Sequence, residues 1–404
     1  MGSPQAPPPL PTLVEVDSIT IHAIVNDEID QISPSPHPGV QHAQSFMGAP
    51  LTPLSACDAQ QRGGAATEMR MDTLCCGAHG LSLLITAATS DGTSHTLLFD
   101  AGPEEAVWER NVARLGLDAG AIETIVLSHW HRDHSGGMLS AIRMVEAAKR
   151  KKGSAGGHAG NSGETTNHTT VTTDTTHYKK VVADLHPDRP TYRGVMAMAG
   201  GEQQQQQPIP ISLEPDPTFE EIEQAGATVF KSSEPHTVLD GMFLVSGSIP
   251  RETAYEGGIR GGIRLELDAE TQQQEWEKDE LIMDERLVMC HLRGKGLVVF
   301  TGCSHAGVVN VARHAVALGG GGGRGEGEGE GATGTTPLYT VVGGYHLADA
   351  SAEKMESSMR DLKALQPRVL MPGHCTGWRF KVKIEQEMPG CMAPVFGGTR
   401  YELV

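Results

Sequence analysis

The chain has 404 residues, enough for one large or two ordinary domains with a sizeable core. Its 32 basic and 50 acidic residues leave a formal net charge of −18, which argues against the basic surface that holds nucleic acid or an anionic membrane. No run of about 18 apolar residues could span a membrane, the N-terminus lacks the basic and apolar regions of a secretory signal, and seven sparse cysteines show no disulfide framework. These features predict a cytoplasmic protein with no nucleic-acid or membrane partner, and leave the oligomeric state open.

Residues 1–12 are Pro-rich and predict an untethered arm, with 13–404 as a single folded domain. The alternating segment Ile19–Val25 reads as a first strand, and residues 27–70 read as loop. Leu81–Thr86 and Thr96–Asp100 form a predicted strand pair joined by Ser90-Asp91-Gly92-Thr93. Glu104–Leu115 follows as a helix, with Gly116 as its stop. Ile122–Ser128 is a strand and Met138–Lys152 a helix, whose basic end Lys149-Arg150-Lys151-Lys152 reads as solvated.

Three stretches, at about 153–177, 200–208 and 319–335, hold Gly, Ser, Thr, Asn, Gln and Glu with almost nothing to bury. Such segments do not offset the entropy of ordering themselves, so they are predicted to be disordered surface insertions, and His158, His168 and His177 within the first are read as compositional. Between them the strand pattern resumes at Lys180–Ala183, Thr228–Phe230, Met242–Val245, Leu287–Cys290, Gly296–Phe300, Leu338–Val342 and Val369–Met371. Short strands with helices between some of them predict an α/β sandwich.

Chemistry concentrates in Ser128-His129-Trp130-His131-Arg132-Asp133-His134-Ser135-Gly136-Gly137, directly after the apolar Ile125-Val126-Leu127. In an extended segment His129 and His131 point the same way and can share one metal ion, while Asp133 and His134 on the following turn can serve a second. Three further histidines repeat the arrangement of an apolar strand, a small-residue turn and an imidazole: His305 after Val298-Val299-Phe300-Thr301, His346 after Val341-Val342, and His374 after Val369-Leu370-Met371-Pro372. In a layered α/β sheet such strand ends converge on one edge, where sites are built.

The HxHxDH spacing, together with Leu97-Leu98-Phe99-Asp100-Ala101-Gly102-Pro103, Val245–Arg251, Thr301-Gly302-Cys303-Ser304-His305-Ala306-Gly307, Gly343-Gly344-Tyr345-His346-Leu347 and Pro372-Gly373-His374-Cys375-Thr376-Gly377, resembles the metallo-β-lactamase superfamily. In particular it resembles the dihydropteroate-synthase-like branch, in order from about Ile19 to about Phe396. The resemblance implies αββα layers and two divalent ions, zinc first, with iron or manganese as alternatives. It implies His129, His131 and His305 around the first ion and Asp133, His134 and His374 around the second. Asp100 would anchor a ligand imidazole or the adjoining loops.

Many members bridge the two ions with an aspartate between the positions matched by His305 and His374. Here that region offers His346, expected to face substrate or metal, and Asp349, expected to cap a helix over Ala350–Leu365; the bridging ligand stays open. Cys303 and Cys375 are either thiolate ligands, nucleophiles or small packing residues. Arg251 is the candidate for an anionic substrate group, with a surface pair to Glu256 as the competing account. Backbone donors of a helix starting near Ala306-Gly307-Val308 would add to an anion site, and His186 is placed near the cleft but not as a ligand. The activity implied is hydrolysis of a small, anionic ester or phosphoester by a metal-bound hydroxide, with Asp133 or His346 managing the proton. The alternatives are an iron-dependent oxidoreductase or pterin-pathway transferase on the same fold, and a non-catalytic metal-binding protein.

Overall fold

Successive side chains of a strand point to opposite faces, and the central strands of this chain are apolar on both. In Ser82–Ala88, Leu83 and Ile85 enter one buried cluster while Leu84 enters another; in Ser94–Phe99, Leu97 and Phe99 divide from Leu98 in the same way. Gly296–Thr301 repeats this, with Val298 and Phe300 on one face and Val299 on the other. Strands of this kind must be covered twice, and the computed structural model covers them in four layers. It describes all residues except 1–11, 31, 34, 36, 38–39, 43–50, 157–177, 200–206, 268–273 and 321–335.

One sheet has eight strands, in the order Thr228–Lys231, Val182–Leu185, Thr124–Val126, Ser94–Phe99, Ser82–Ala88, Ser18–Val25, Arg400–Leu403 and Gln41–His42. The other has seven: His236–Val238, Phe243–Val245, Val288–Leu292, Gly296–Thr301, Leu338–Gly344 and Val369–Gly373 in order, with Glu15–Val16 also pairing with Val288–Leu292. Their inner faces share one core, in which Ile21, Ile85 and Phe99 meet Val245, Phe300 and Met371. Helices Glu105–Leu115, Met138–Gly156 and Phe219–Ala225 cover the outer face of the first sheet through Trp108, Ile142 and Ile222. Helices Val308–Gly319, Ala352–Ala364 and Trp378–Glu387 cover the second through Val311, Met359 and Phe380.

The site is positioned by parallel pairing. Ser94–Phe99, Thr124–Val126 and Val182–Leu185 run parallel in one sheet, as do Gly296–Thr301, Leu338–Gly344 and Val369–Gly373 in the other. Parallel neighbours need crossovers, so each strand's carboxyl end is followed by a loop on the same edge. The segments after Phe99, Val126, Thr301, Gly344 and Gly373 are the segments that carry the predicted site residues.

The main strands and first helices fall within a few residues of their predicted limits, and Gly116 ends its helix at φ 62° in the left-handed region that favours glycine. Three expectations change. The segment 27–70, read as loop, contains a short hairpin of Leu51–Pro53 with Thr67–Met69 and the helix Ala56–Gln61, capped by Ser55. The helix after Met138 runs to Gly156 and the strand Gln207–Ser212 begins inside the second expected insert; 157–177, 200–206 and 321–335, like the arm at 1–11, lie outside the described residues. A four-stranded antiparallel sheet, Gln207–Ser212, Tyr192–Ala199, Gly262–Leu267 and Gln274–Lys278, was not anticipated.

Because Phe300 is fully buried between the sheets, Phe300→Ala is expected to cost about 3–5 kcal/mol. Urea unfolding reads this as a lowered midpoint with an unchanged slope. A loss under about 1 kcal/mol would mean that the two sheets do not share this core.

Candidate metal centre

His129, His131 and His305 turn three ring nitrogens toward one point. His129 Nε2 lies 2.9 Å from His131 Nδ1, His131 Nδ1 lies 3.2 Å from His305 Nε2, and His305 Nε2 lies 3.1 Å from His129 Nε2. All three rings are buried. Burial above all, with mutual repulsion, holds the imidazolium form of His129 and His305 well below its ordinary range; burial and the nearby Arg193 push His131 down to about 3. With the ring proton of each on its other nitrogen, three neutral imidazoles in a triangle of this size present lone pairs that fit one ion at the usual metal–nitrogen distance of about 2.0–2.1 Å.

A second donor set adjoins the first, with the His134 ring 4.4 Å from that of His129. Cys303 Sγ is 3.2 Å from both His134 Nε2 and His374 Nε2, and Asp133 Oδ2 is 3.5 Å from the first of these and 3.2 Å from the second. Burial disfavours charge on His134 and His374, but it is outweighed at both: the Asp133 and Asp100 carboxylates raise His134, and Cys375, followed by Asp133 and Asp27, raises His374 well above its ordinary range. The same imidazoles overcome the burial of Asp133 and hold its carboxyl well below the usual range. Groups that raise a proton's affinity in this way also favour a metal cation. Both sets therefore fit metal binding by their donor chemistry.

The imidazoles of His129, His134 and His374 are oriented from behind. Asp100, fully buried, places Oδ2 2.6 Å from His134 Nδ1 and also accepts from Ser128 Oγ at 2.8 Å; Ser128 Oγ in turn lies 2.9 Å from His129 Nδ1. Asp27 reaches His374 Nδ1 at 2.7 Å with one oxygen and His79 Nδ1 at 2.7 Å with the other, while Asn26 accepts from the His374 backbone N–H at 2.8 Å. His305 differs, because its buried Nδ1 has no partner; its own backbone N–H donates to Glu285 at 2.7 Å instead.

The consecutive residues Asp284-Glu285-Arg286 join the two halves of the site. Asp284 accepts from Trp130 N at 2.7 Å, Glu285 from His305 N and Ala306 N at 2.7 and 2.6 Å, and Arg286 binds the carbonyls of Leu127 and Ser128 at 2.9 and 2.8 Å through its guanidinium and its backbone N–H. All three side chains are buried. Arg286 also pairs with buried Asp184 at 2.7 Å, and Arg193 of the unanticipated sheet bonds Trp130 O at 2.6 Å as well as Asp279 and Asp284. Sequence reasoning missed this triplet, Asn26-Asp27, His79 and Arg193. A polar triplet directly before the apolar Leu287-Val288-Met289-Cys290, and Asn-Asp directly after a strand, were the available signals.

Backbone strain gathers at the same edge. Asp100, Ser304, His346 and His374 all have left-handed φ, at 59°, 61°, 48° and 43°, a conformation that costs non-glycine residues free energy and is retained where surroundings enforce it. Gly136 instead has φ −61°, so it is required by proximity and not by turning: a Cβ there would overlap the Pro103 carbonyl.

A cleft of about 760 Å³ opens over both donor sets. His346 lines it, with its ring 4.5 Å from that of His305 and not among either donor set. Asp349 also lines it; the cap of helix Ala352–Ala364 is Ser351, whose side chain accepts from Lys354 N, so the expected capping role of Asp349 is corrected. Arg251 is not a lining residue. Its terminal N–H groups donate to the carbonyls of Ile249, Leu281 and Ile282, and no ion pair with Glu256 is formed. Glu256 caps helix Val308–Gly319 by accepting from Val309 N and Asn310 N, at 2.9 and 3.1 Å, so those donors are not open to a ligand. The guanidinium on the cleft wall is that of Arg132, beside Glu214 at 3.5 Å. His186 is buried, with Nδ1 accepting from Asp188 N, and does not line the cleft.

Burial opposes ionisation of Asp284, yet Arg193 and the Trp130 N–H hold its carboxyl down to about 2 from an ordinary 3.8. A depressed carboxyl contributes stability that is present above the ordinary value and is lost as pH falls through the folded one. The stability difference between wild type and Asp284→Asn is therefore expected to shrink by about 2 kcal/mol between roughly pH 4 and pH 2. Urea unfolding across that range measures it, and a constant difference would refute the pairing.

No protein-family model matches the chain. It is 23% identical over 323 residues to the 7,8-dihydropterin-6-methyl-4-(β-D-ribofuranosyl)-aminobenzene-5'-phosphate synthase of Methanocaldococcus jannaschii, covering 76% of this chain and 84% of that one. It is 26% identical over 312 residues to an uncharacterized protein of the same organism, covering 76% and 88%. Among solved structures it matches a metal-dependent hydrolase of the β-lactamase superfamily with a TM-score of 0.55 at 19% identity, covering 95% of this chain and 98% of that structure. The four-layered fold is that of a metallo-β-lactamase-fold protein, with the Methanocaldococcus jannaschii synthase as a relative along most of its length.

Proposed function

We propose that the chain is a dinuclear metal-dependent hydrolase of a small anionic ester or phosphoester. The first ion is held by His129, His131 and His305 and the second by Asp133, His134 and His374. The observation that carries this reading is the pair of adjoining buried donor sets on the floor of one cleft. When bound, two divalent ions, zinc first, supply Lewis acidity and an activated water. The chain's own residues do the rest. Asp100 and Asp27 keep the imidazoles of His134 and His374 in one tautomer and orientation. Arg132 on the wall receives the anionic end of the substrate in place of Arg251. His346, on the cleft beside His305, and Asp133 are the groups placed to hold or pass a proton.

A second reading is favoured by the relative named as a synthase: the same centre transfers the group to an acceptor other than water. A reaction that proceeds only when an amine or alcohol acceptor is added would select it.

Purified protein is expected to carry two divalent ions per chain and to hydrolyse some member of a panel of phosphodiesters, phosphomonoesters, thioesters and lactones, with His129→Ala inactive. Equal hydrolysis by that variant would reject the assignment. Asp100→Asn, which leaves the donor atoms in place, is expected to weaken metal binding roughly 10- to 100-fold, read by competition with a chelator of known affinity.

A further inference from the structure

The three residues assigned to the second ion leave one close neighbour unexplained. Cys303 Sγ is 3% exposed as a residue and sits 3.2 Å from two imidazole nitrogens at once. An S–H hydrogen bond accounts for one of these contacts only. His134 Nδ1 faces Asp100 at 2.6 Å and His374 Nδ1 faces Asp27 at 2.7 Å. With each Nδ1 held by a carboxylate, Nε2 is the atom that each ring turns toward Cys303 Sγ and Asp133 Oδ2. A cation among the four donors gives them one common partner.

The separations agree with such a cation. His134 Nε2, His374 Nε2, Asp133 Oδ2 and Cys303 Sγ lie 3.2–3.5 Å apart along four of their six edges, and a tetrahedral ion with donors at about 2.0–2.3 Å has edges of roughly 3.3–3.7 Å. The backbone is arranged for it as well. Cys303 and His305 are two residues apart and would share a side in an extended strand. Ser304 between them takes φ 61°, with its hydroxyl bound to Gly344 O at 2.7 Å, and so one neighbour serves each donor set.

We propose that Cys303 is a thiolate ligand of the second ion, which makes that position a two-nitrogen, one-oxygen, one-sulfur site for a borderline-soft divalent cation of the zinc type. The thiol gives up one proton to solvent as the ion binds, and a sulfur donor disfavours magnesium, calcium and manganese at this position. This rests on the dinuclear reading above and adds a ligand that it lacks.

Cobalt(II) titration of the metal-free full chain tests it by spectrum, without any activity. Two equivalents are expected to bind, one of them bringing a near-ultraviolet sulfur-to-cobalt charge-transfer band. Cys303→Ser is expected to lose that band and more than about tenfold of the affinity at the donor set of Asp133, His134 and His374 while keeping the visible bands of the three-histidine set, which also report an intact fold. Cys375→Ser, whose thiol contacts the Cys303 carbonyl at 3.3 Å and belongs to neither donor set, is expected to keep the band. Two bound ions with no such band, a band that survives in Cys303→Ser, or one lost in Cys375→Ser would each overturn the proposal while leaving the dinuclear reading standing. A wild type that binds no cobalt would overturn both. Should Cys303→Ser fail to fold, the wild-type and Cys375→Ser spectra decide alone.

Discussion

His129, His131 and His305 hold three buried ring nitrogens within 3.2 Å of one another, against their mutual repulsion. Neutral imidazoles in that arrangement gain nothing from each other, and charged ones would be worse. The placement therefore has to be imposed by the rest of the molecule. The polar groups behind the site impose it. Asp100 acts through Ser128 on His129 and directly on His134. Glu285 fixes the backbone of His305, whose ring has no partner of its own at Nδ1.

The bracing is shared between the sheets. His129 and His134 follow a strand of the eight-stranded sheet, and His305 and His374 follow strands of the seven-stranded one. The apolar core between the sheets sets their separation but has no directional preference. Direction comes from Asp284-Glu285-Arg286, which lies at the start of a strand in the second sheet and bonds to the loop of the first. Three charged side chains buried side by side are tolerated because each is answered: Asp284 by Arg193, Arg286 by Asp184, and Glu285 by two backbone donors.

Sequence patterning made the layers legible because strands apolar on both faces have few ways to be covered, and Leu83-Leu84-Ile85 or Val298-Val299-Phe300 declare that state without a partner in view. The site histidines were legible for a related reason, since an imidazole just past an apolar strand stands on the sheet edge. What failed was the fate of charges whose partners are remote in sequence. Arg251 had the composition of an anion contact, yet three nearby carbonyls take its donors. The helix at Val308 had open donors until Glu256, more than 50 residues earlier, filled them. The four-stranded sheet escaped because much of it is exposed and its strands lie on either side of Gln-rich sequence, but it supplies Arg193 to the metal-site loop.

The two donor sets differ in charge, and the difference follows from what stands behind them. The first is three neutral imidazoles backed by a hydroxyl and backbone groups, with Arg193 near enough to disfavour further positive charge. The second contains the Asp133 carboxylate and is backed by two more, Asp100 and Asp27. A cation is therefore attracted more strongly to the second set, while the first depends on the geometry of its three lone pairs. Asp133 is where the two requirements meet. It lies on the short helical turn Arg132–Ser135, directly after His131, so moving it to improve the second set would displace the first. That coupling gives the compact spacing of His129, His131, Asp133 and His134 its physical meaning: one loop sets the position of both charges, and the strand ends at His305 and His374 have to come to it.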